Sequence, residues 1–101
     1  MKVVCAQLDI IWEERQANFA KVRGMIDKLR PDPGALLILP EMFASGFSMN
    51  VAKIKEPTPS PTEQFLGAIA RLYSIYIVAG LVTQGSDGKG KNEAKDFPYI
   101  I

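Results

Sequence analysis

One carboxylate stands out for its setting. Leu36-Leu37-Ile38-Leu39 is wholly apolar, Pro40 closes the run, and Glu41 follows at once. Met42-Phe43-Ala44-Ser45-Gly46-Phe47-Ser48-Met49-Asn50 comes next, a stretch of aromatic, sulfur-bearing and small residues without charge. Short apolar runs bounded by turn signals read as strands buried on both faces. In open α/β sheets the functional groups sit just past the carboxyl ends of such strands. A carboxylate enclosed by apolar side chains loses part of its preference for the charged form, which suits it to general acid or base work. That is one reading of Glu41. The other is a strand-end glutamate that caps a helix or pairs with a basic side chain.

The remaining chemistry is narrow. The 101 residues contain no histidine and one cysteine. A Ser-His or Cys-His couple within the chain is excluded, and so is an internal disulfide. The commonest ligand of catalytic zinc is missing, which leaves one thiol and scattered carboxylates. Acid-base work falls to a carboxylate, a lysine or a tyrosine. Cys5 sits in the middle of a predicted strand, where a thiol is expected to be buried packing rather than a nucleophile.

Composition excludes several classes. The net charge of +1 offers no basic footprint for nucleic acid. No apolar run is long enough for a membrane helix. Gln7 and Asp9 interrupt the opening segment, which lacks a signal-peptide core. The expectation is a cytoplasmic protein, one domain at most, with no nucleic-acid or membrane partner.

The elements that must position Glu41 follow from periodicity. Val3 to Leu8 predicts a first strand. Glu13 to Leu29 predicts a helix, with Phe19, Val22, Ile26 and Leu29 on one stripe and Met25 beside it. Pro31, Pro33 and Gly34 end it. Ala35 to Leu39 is then the second strand of a βαβ unit, parallel to the first. Glu56-Pro57-Thr58-Pro59-Ser60-Pro61 predicts an extended segment. Ser60-Pro61-Thr62-Glu63 is a capping box with proline at the first helical position. Leu66, Ile69, Ala70 and Tyr73 form that helix's stripe, with Phe65 adjacent. Ile75 to Val82 predicts a third strand, in which Gly80 marks close approach by a neighbour or ligand. Gly85, Gly88 and Gly90 predict a turn into a further strand and do not form a phosphate loop.

The Leu37-Ile38-Leu39-Pro40-Glu41 run, with Phe43 and Gly46, resembles the first signature of the nitrilase superfamily of carbon–nitrogen hydrolases. Val3 to Asp9 resembles that family's opening strand. Asn18 with Lys21 and Ile26 resembles its first helix, Ile77-Val78-Ala79-Gly80 its third strand, and Asn92 the start of its next strand. Glu41 through Asn50 is most similar to the omega-amidase branch, which hydrolyses the terminal amide of 2-oxo-dicarboxylic acid monoamides. The resemblance implies an α/β fold, β-α-β-α-β plus the start of a further strand. This is the N-terminal third of a four-layer αββα sandwich, so residues 1–101 would be one incomplete domain. It implies a Glu-Lys-Cys thioester mechanism on a small-molecule amide, with no metal and no cofactor expected, in a homo-oligomer when complete. Only Glu41, as general base, matches a catalytic position. Lys89, Lys91, Lys95 and Cys5 do not stand in the family's lysine and cysteine motifs, so this chain alone is expected to be inactive. Phe43, Phe47 and Met49 are candidates for a substrate-pocket wall, or for plain core packing. Two alternatives stay open: an inactive interaction module of the same fold, and an unrelated small α/β binding domain.

Overall fold

The computed structural model describes residues 2–46, 56, 60–84 and 90–97. The elements run β1 (Val3–Cys5), α1 (Arg15–Leu29), β2 (Leu36–Glu41), α2 (Pro61–Tyr73), β3 (Tyr76–Gln84) and β4 (Gly90–Phe97). They build one four-stranded sheet of order β1-β2-β3-β4. The first three strands are parallel, and β4 returns antiparallel to β3 from Gln84↔Gly90 to Ile77↔Phe97. Phe47, Met49, the proline segment around residues 57–59 and the glycine turn at 85–89 lie outside the described residues.

Both helices start and stop for local reasons. The Ser60 hydroxyl accepts from the Glu63 N–H at 2.9 Å, and Pro61 occupies the first helical position, as the capping signals predict. Ser74 ends α2 in the left-handed region, where its N–H reaches back to Ala70 O and Arg71 O. Arg30 ends α1 in the same way, just before Pro31. Lys28 in the last turn of α1 complements the helix dipole.

Strand order dictates where the helices lie. Two crossovers of one hand that step in one direction put both helices on one face of the sheet. The core confirms this placement. Phe19, Val22 and Ile26 of α1 and Leu66, Ile69 and Ala70 of α2 pack in one cluster with Leu37, Leu39, Ile77 and Ala79. The Phe19 and Phe65 rings stack with centroids 4.2 Å apart and join the two helices. Residues of the cluster such as Val22, Ile26 and Leu66 are fully enclosed. Truncating such a side chain to alanine costs about 2–5 kcal/mol.

The other face carries no helix among the described residues. The register places Val3, Leu36 and Tyr76 side by side there, then Cys5, Ile38 and Val78. Each is half-buried or exposed. This corrects the expectation for Cys5, which is exposed rather than packed. Its neighbours are apolar, but its side chain points to the open face. Leu29 is 47% exposed, so the α1 stripe ends at Ile26. β1 is shorter than predicted because its partner soon reaches Pro40, which has no N–H for a ladder.

An apolar, uncovered sheet face favours association. Residues 1–101 on their own are therefore expected to bind a hydrophobic dye such as ANS and to self-associate in analytical ultracentrifugation. A monodisperse monomer with a cooperative thermal melt would contradict this.

Candidate functional site at the end of the second strand

β2 does not stop at Pro40. It runs through to Glu41, and its register against β3 slips on the way. Leu36, Leu37 and Ile38 pair with Tyr76, Ile77 and Val78. Unbroken, that register would pair Pro40 with Gly80. Instead Glu41 pairs with Gly80, the slip falling between Ile38 and Glu41. One extra residue in a strand turns every following side chain to the opposite face. By alternation from Leu37 and Leu39, Glu41 would face the helices. The slip aims it to the open face beside Gly80. Pro40 suits the irregularity because it has no ladder hydrogen to lose.

Glu41 is accordingly exposed at the C-terminal end of β2, not enclosed by apolar side chains. The expected enclosure would need atoms on the open face. The chain then turns sharply. Met42 adopts φ 54° in the left-handed region, which is costly for a residue with a long side chain. Its N–H donates to Gly80 O at 2.8 Å, and its own carbonyl accepts from Gly46 N–H at 2.8 Å. Gly46 has φ +74°, and a Cβ there would stand 3.1 Å from Cε3 of Trp12. Glycine is favoured on both counts.

Asn18 fastens this loop. It is 1% exposed, on the core side of α1. Its Oδ1 accepts from Ile11 N–H at 2.7 Å, and its Nδ2 donates to Ile11 O and Ala44 O, both at 2.8 Å. One amide thus ties the segment after β1 to the segment after Glu41. The Glu13 N–H adds a bond to Ser45 O at 2.9 Å. Sequence reasoning matched Asn18 to a family position without giving it this work. The signal was present: asparagine is a poor residue for a helix interior unless its side chain has partners elsewhere.

Glu56 is a second residue that sequence reasoning passed over. It is 3% exposed and accepts from the Thr62 N–H at 2.8 Å and from the Thr62 hydroxyl. The Arg15 guanidinium lies 3.4 Å away. A carboxylate at the first turn of α2 meets the positive end of the helix dipole. Glu56 therefore fixes the far end of the segment that leaves Glu41.

Phe43 is fully buried in the core cluster, 6.2 Å between centroids from Phe19. Its burial matches the packing reading. At the opposite end of β2, Lys2 and Asp32 pair at 2.8 Å. Their hydrogen bond, then their opposite charges, hold Asp32 below the usual carboxylate range and Lys2 above its own. Both are exposed to solvent and far from Glu41 along the strand. The hollow they border has a volume of about 130 Å³, which is small beside ligand pockets of roughly 300–1,000 Å³.

The described elements define the class: an α/β sheet with both helices on one face and a carboxylate aimed onto the other. Residues 2–97 match the family model described as carbon-nitrogen hydrolase, and the chain belongs to that family. It is 29% identical over 92 residues to a nitrilase from Pyrococcus abyssi, spanning 86% of this chain and 35% of the relative. Crystal structures of N-terminal amidase with an Asn-Glu peptide and with a Gln-Gly peptide superpose on 97% of this chain, each with a TM-score of 0.82 and 17% identity. The chain spans about a quarter of those structures and about a third of the curated relative. The fold is that of the N-terminal part of a nitrilase-type protein. An unrelated small α/β domain is overturned by the family match.

Replacing Asn18 by leucine is expected to leave the Ile11 and Ala44 groups without partners. Each buried unsatisfied group costs about 1–3 kcal/mol. Denaturant unfolding of the full-length gene product should show a loss of at least about 2 kcal/mol, and Asn18→Asp, which sets a buried carboxylate against the Ile11 and Ala44 carbonyls, a loss at least as large. Equal stability of Asn18→Leu and the parent would refute the clamp.

Proposed function

We propose that this chain supplies Glu41 as the general base of an amidase that cleaves a non-peptide linear amide through a cysteine thioester. The observation that carries the reading is the register slip, which aims Glu41 onto the open sheet face at the carboxyl end of β2. Family membership and the resemblance of residues 37–46 to the superfamily's glutamate signature support it. Residues 1–101 are then the N-terminal part of a longer domain. Its other parts would supply the lysine and the thiol and cover the open face.

The chemistry balances without histidine. Glu41 takes the thiol proton, and the thiolate attacks the amide carbon. The lysine ammonium stabilises the oxyanion of the tetrahedral intermediate. As the C–N bond breaks, the glutamic acid returns the proton and ammonia leaves, which forms the thioester. Water, activated by the same carboxylate, hydrolyses the thioester to a carboxylic acid and restores the thiol. The stretch from Glu41 to Asn50 favours the terminal amide of a 2-oxo-dicarboxylic acid monoamide as substrate, with Phe47 and Met49 at its pocket wall. The setting we assign is cytoplasmic, with self-association into a homo-oligomer and no nucleic-acid or membrane partner.

Mass spectrometry of the full-length gene product mixed with such an amide should detect an acyl adduct on the thiol. Glu41→Gln should slow its formation by about 10²–10⁴-fold with the thermal melt unchanged. Adduct formation at the parent rate in Glu41→Gln would contradict the assignment. No adduct on the parent protein would contradict the amidase reading and favour an inactive module of the same fold.

A further inference from the structure

Gly80 occupies the middle of a strand, where glycine is a poor choice. It offers no side chain to pack and loses more conformational freedom than any other residue. Its backbone does not ask for glycine either, since Gly34 and Gly46 are the glycines with positive φ and Gly80 is not among them. What Gly80 provides is space. A Cβ there would stand 3.0 Å from Cγ of Glu41, 3.4 Å from its Cα and 3.6 Å from its Cβ. The approach to Cγ is tighter than nine in ten real Cβ contacts, and the approach to Cα lies at the near limit of ordinary contact. The Gly80 carbonyl meanwhile accepts the Met42 N–H at 2.8 Å, so a retreat of the β3 backbone would stretch that bond.

We infer that Gly80 is a positioning residue for Glu41: the re-aimed carboxylate needs a neighbouring strand position without a side chain. A Cβ at position 80 displaces Cγ of Glu41 by a few tenths of an ångström or more, and the carboxylate beyond it moves with it. The carboxylate then leaves the line on which it would meet a thiol. This inference rests on the general-base reading of Glu41 for its consequence in catalysis, and on geometry alone for its effect on Glu41.

The test uses the full-length gene product in four forms: parent, Gly80→Ala, Gly24→Ala and Glu41→Gln. A Cβ at Gly24 meets nothing within 4 Å, so that variant is the control for adding a methyl group to a glycine. Gly80→Ala is expected to slow thiol acylation by a terminal-amide substrate by about 10- to 100-fold, the range in which displacements of up to an ångström act. KM should stay at the parent value, since the contact is with the base and not with substrate. The 13C resonance of the Glu41 carboxyl should move in Gly80→Ala and stay in place in Gly24→Ala. Parent-like acylation or an unmoved resonance in Gly80→Ala would overturn the inference. Normal acylation in Glu41→Gln would instead overturn the general-base reading, and the resonance would still decide the role of Gly80. Should Gly80→Ala fail to fold, the double variant Gly80→Ala with Glu41→Ala removes the opposing Cγ. Recovery of the fold then supports the inference, and continued misfolding refutes it.

Discussion

The Met42 N–H donates to the carbonyl of Gly80 across 2.8 Å, and the rest of the site depends on that bond. It can form only because β2 carries one residue more than β3 between Ile38 and Glu41. Pro40 lies within that interval, has no ladder hydrogen and leaves the slip without a lost bond. Met42 then takes a left-handed conformation, φ 54°, that would be unfavourable on its own. The surrounding bonds hold it there. Gly46 closes the turn onto Met42 O, and Asn18 grips Ala44 from the helix side. Strain, slip and clamp act together on one outcome, the direction of the Glu41 side chain.

Topology gives that direction its meaning. In a 1-2-3 strand order both helices crowd one face, and the hydrophobic core forms there. A glutamate following the regular alternation of β2 would point to the face on which this core forms. The slip moves the carboxylate to the side of Cys5, Ile38 and Val78, which carries no helix among the described residues. The same face that makes the isolated chain prone to association is thus the face on which the candidate chemistry is displayed.

Most of the framework was legible because it rests on local rules. Ser60, Pro61 and Glu63 announced the start of α2, and the apolar stripe of Phe19, Val22 and Ile26 announced the buried side of α1. The interior glycine of β3 signalled a close neighbour, and that neighbour is Glu41. What escaped reasoning from sequence is non-local. Pro40 looked like a strand end, because a register slip is a relation between two strands and leaves no period in either one. Cys5 looked buried, because its apolar neighbours say that a strand is present but not that one face of the sheet is open. The bonding roles of Asn18 and Glu56 are of the same kind, because their partners at Ala44 and at Thr62 and Arg15 come together only in the fold.

A one-residue slip of β2 against β3 is what turns Glu41 to the open face. Nuclear Overhauser contacts between the Gly80 α-protons and the side-chain protons of Glu41, in the full-length gene product, test it most directly. Strong cross-peaks from Gly80 to Glu41 Hγ are expected, and none from Glu41 to Phe19 or Leu66. Glu41 cross-peaks to those core side chains, with Gly80 opposite Pro40, would contradict the slip.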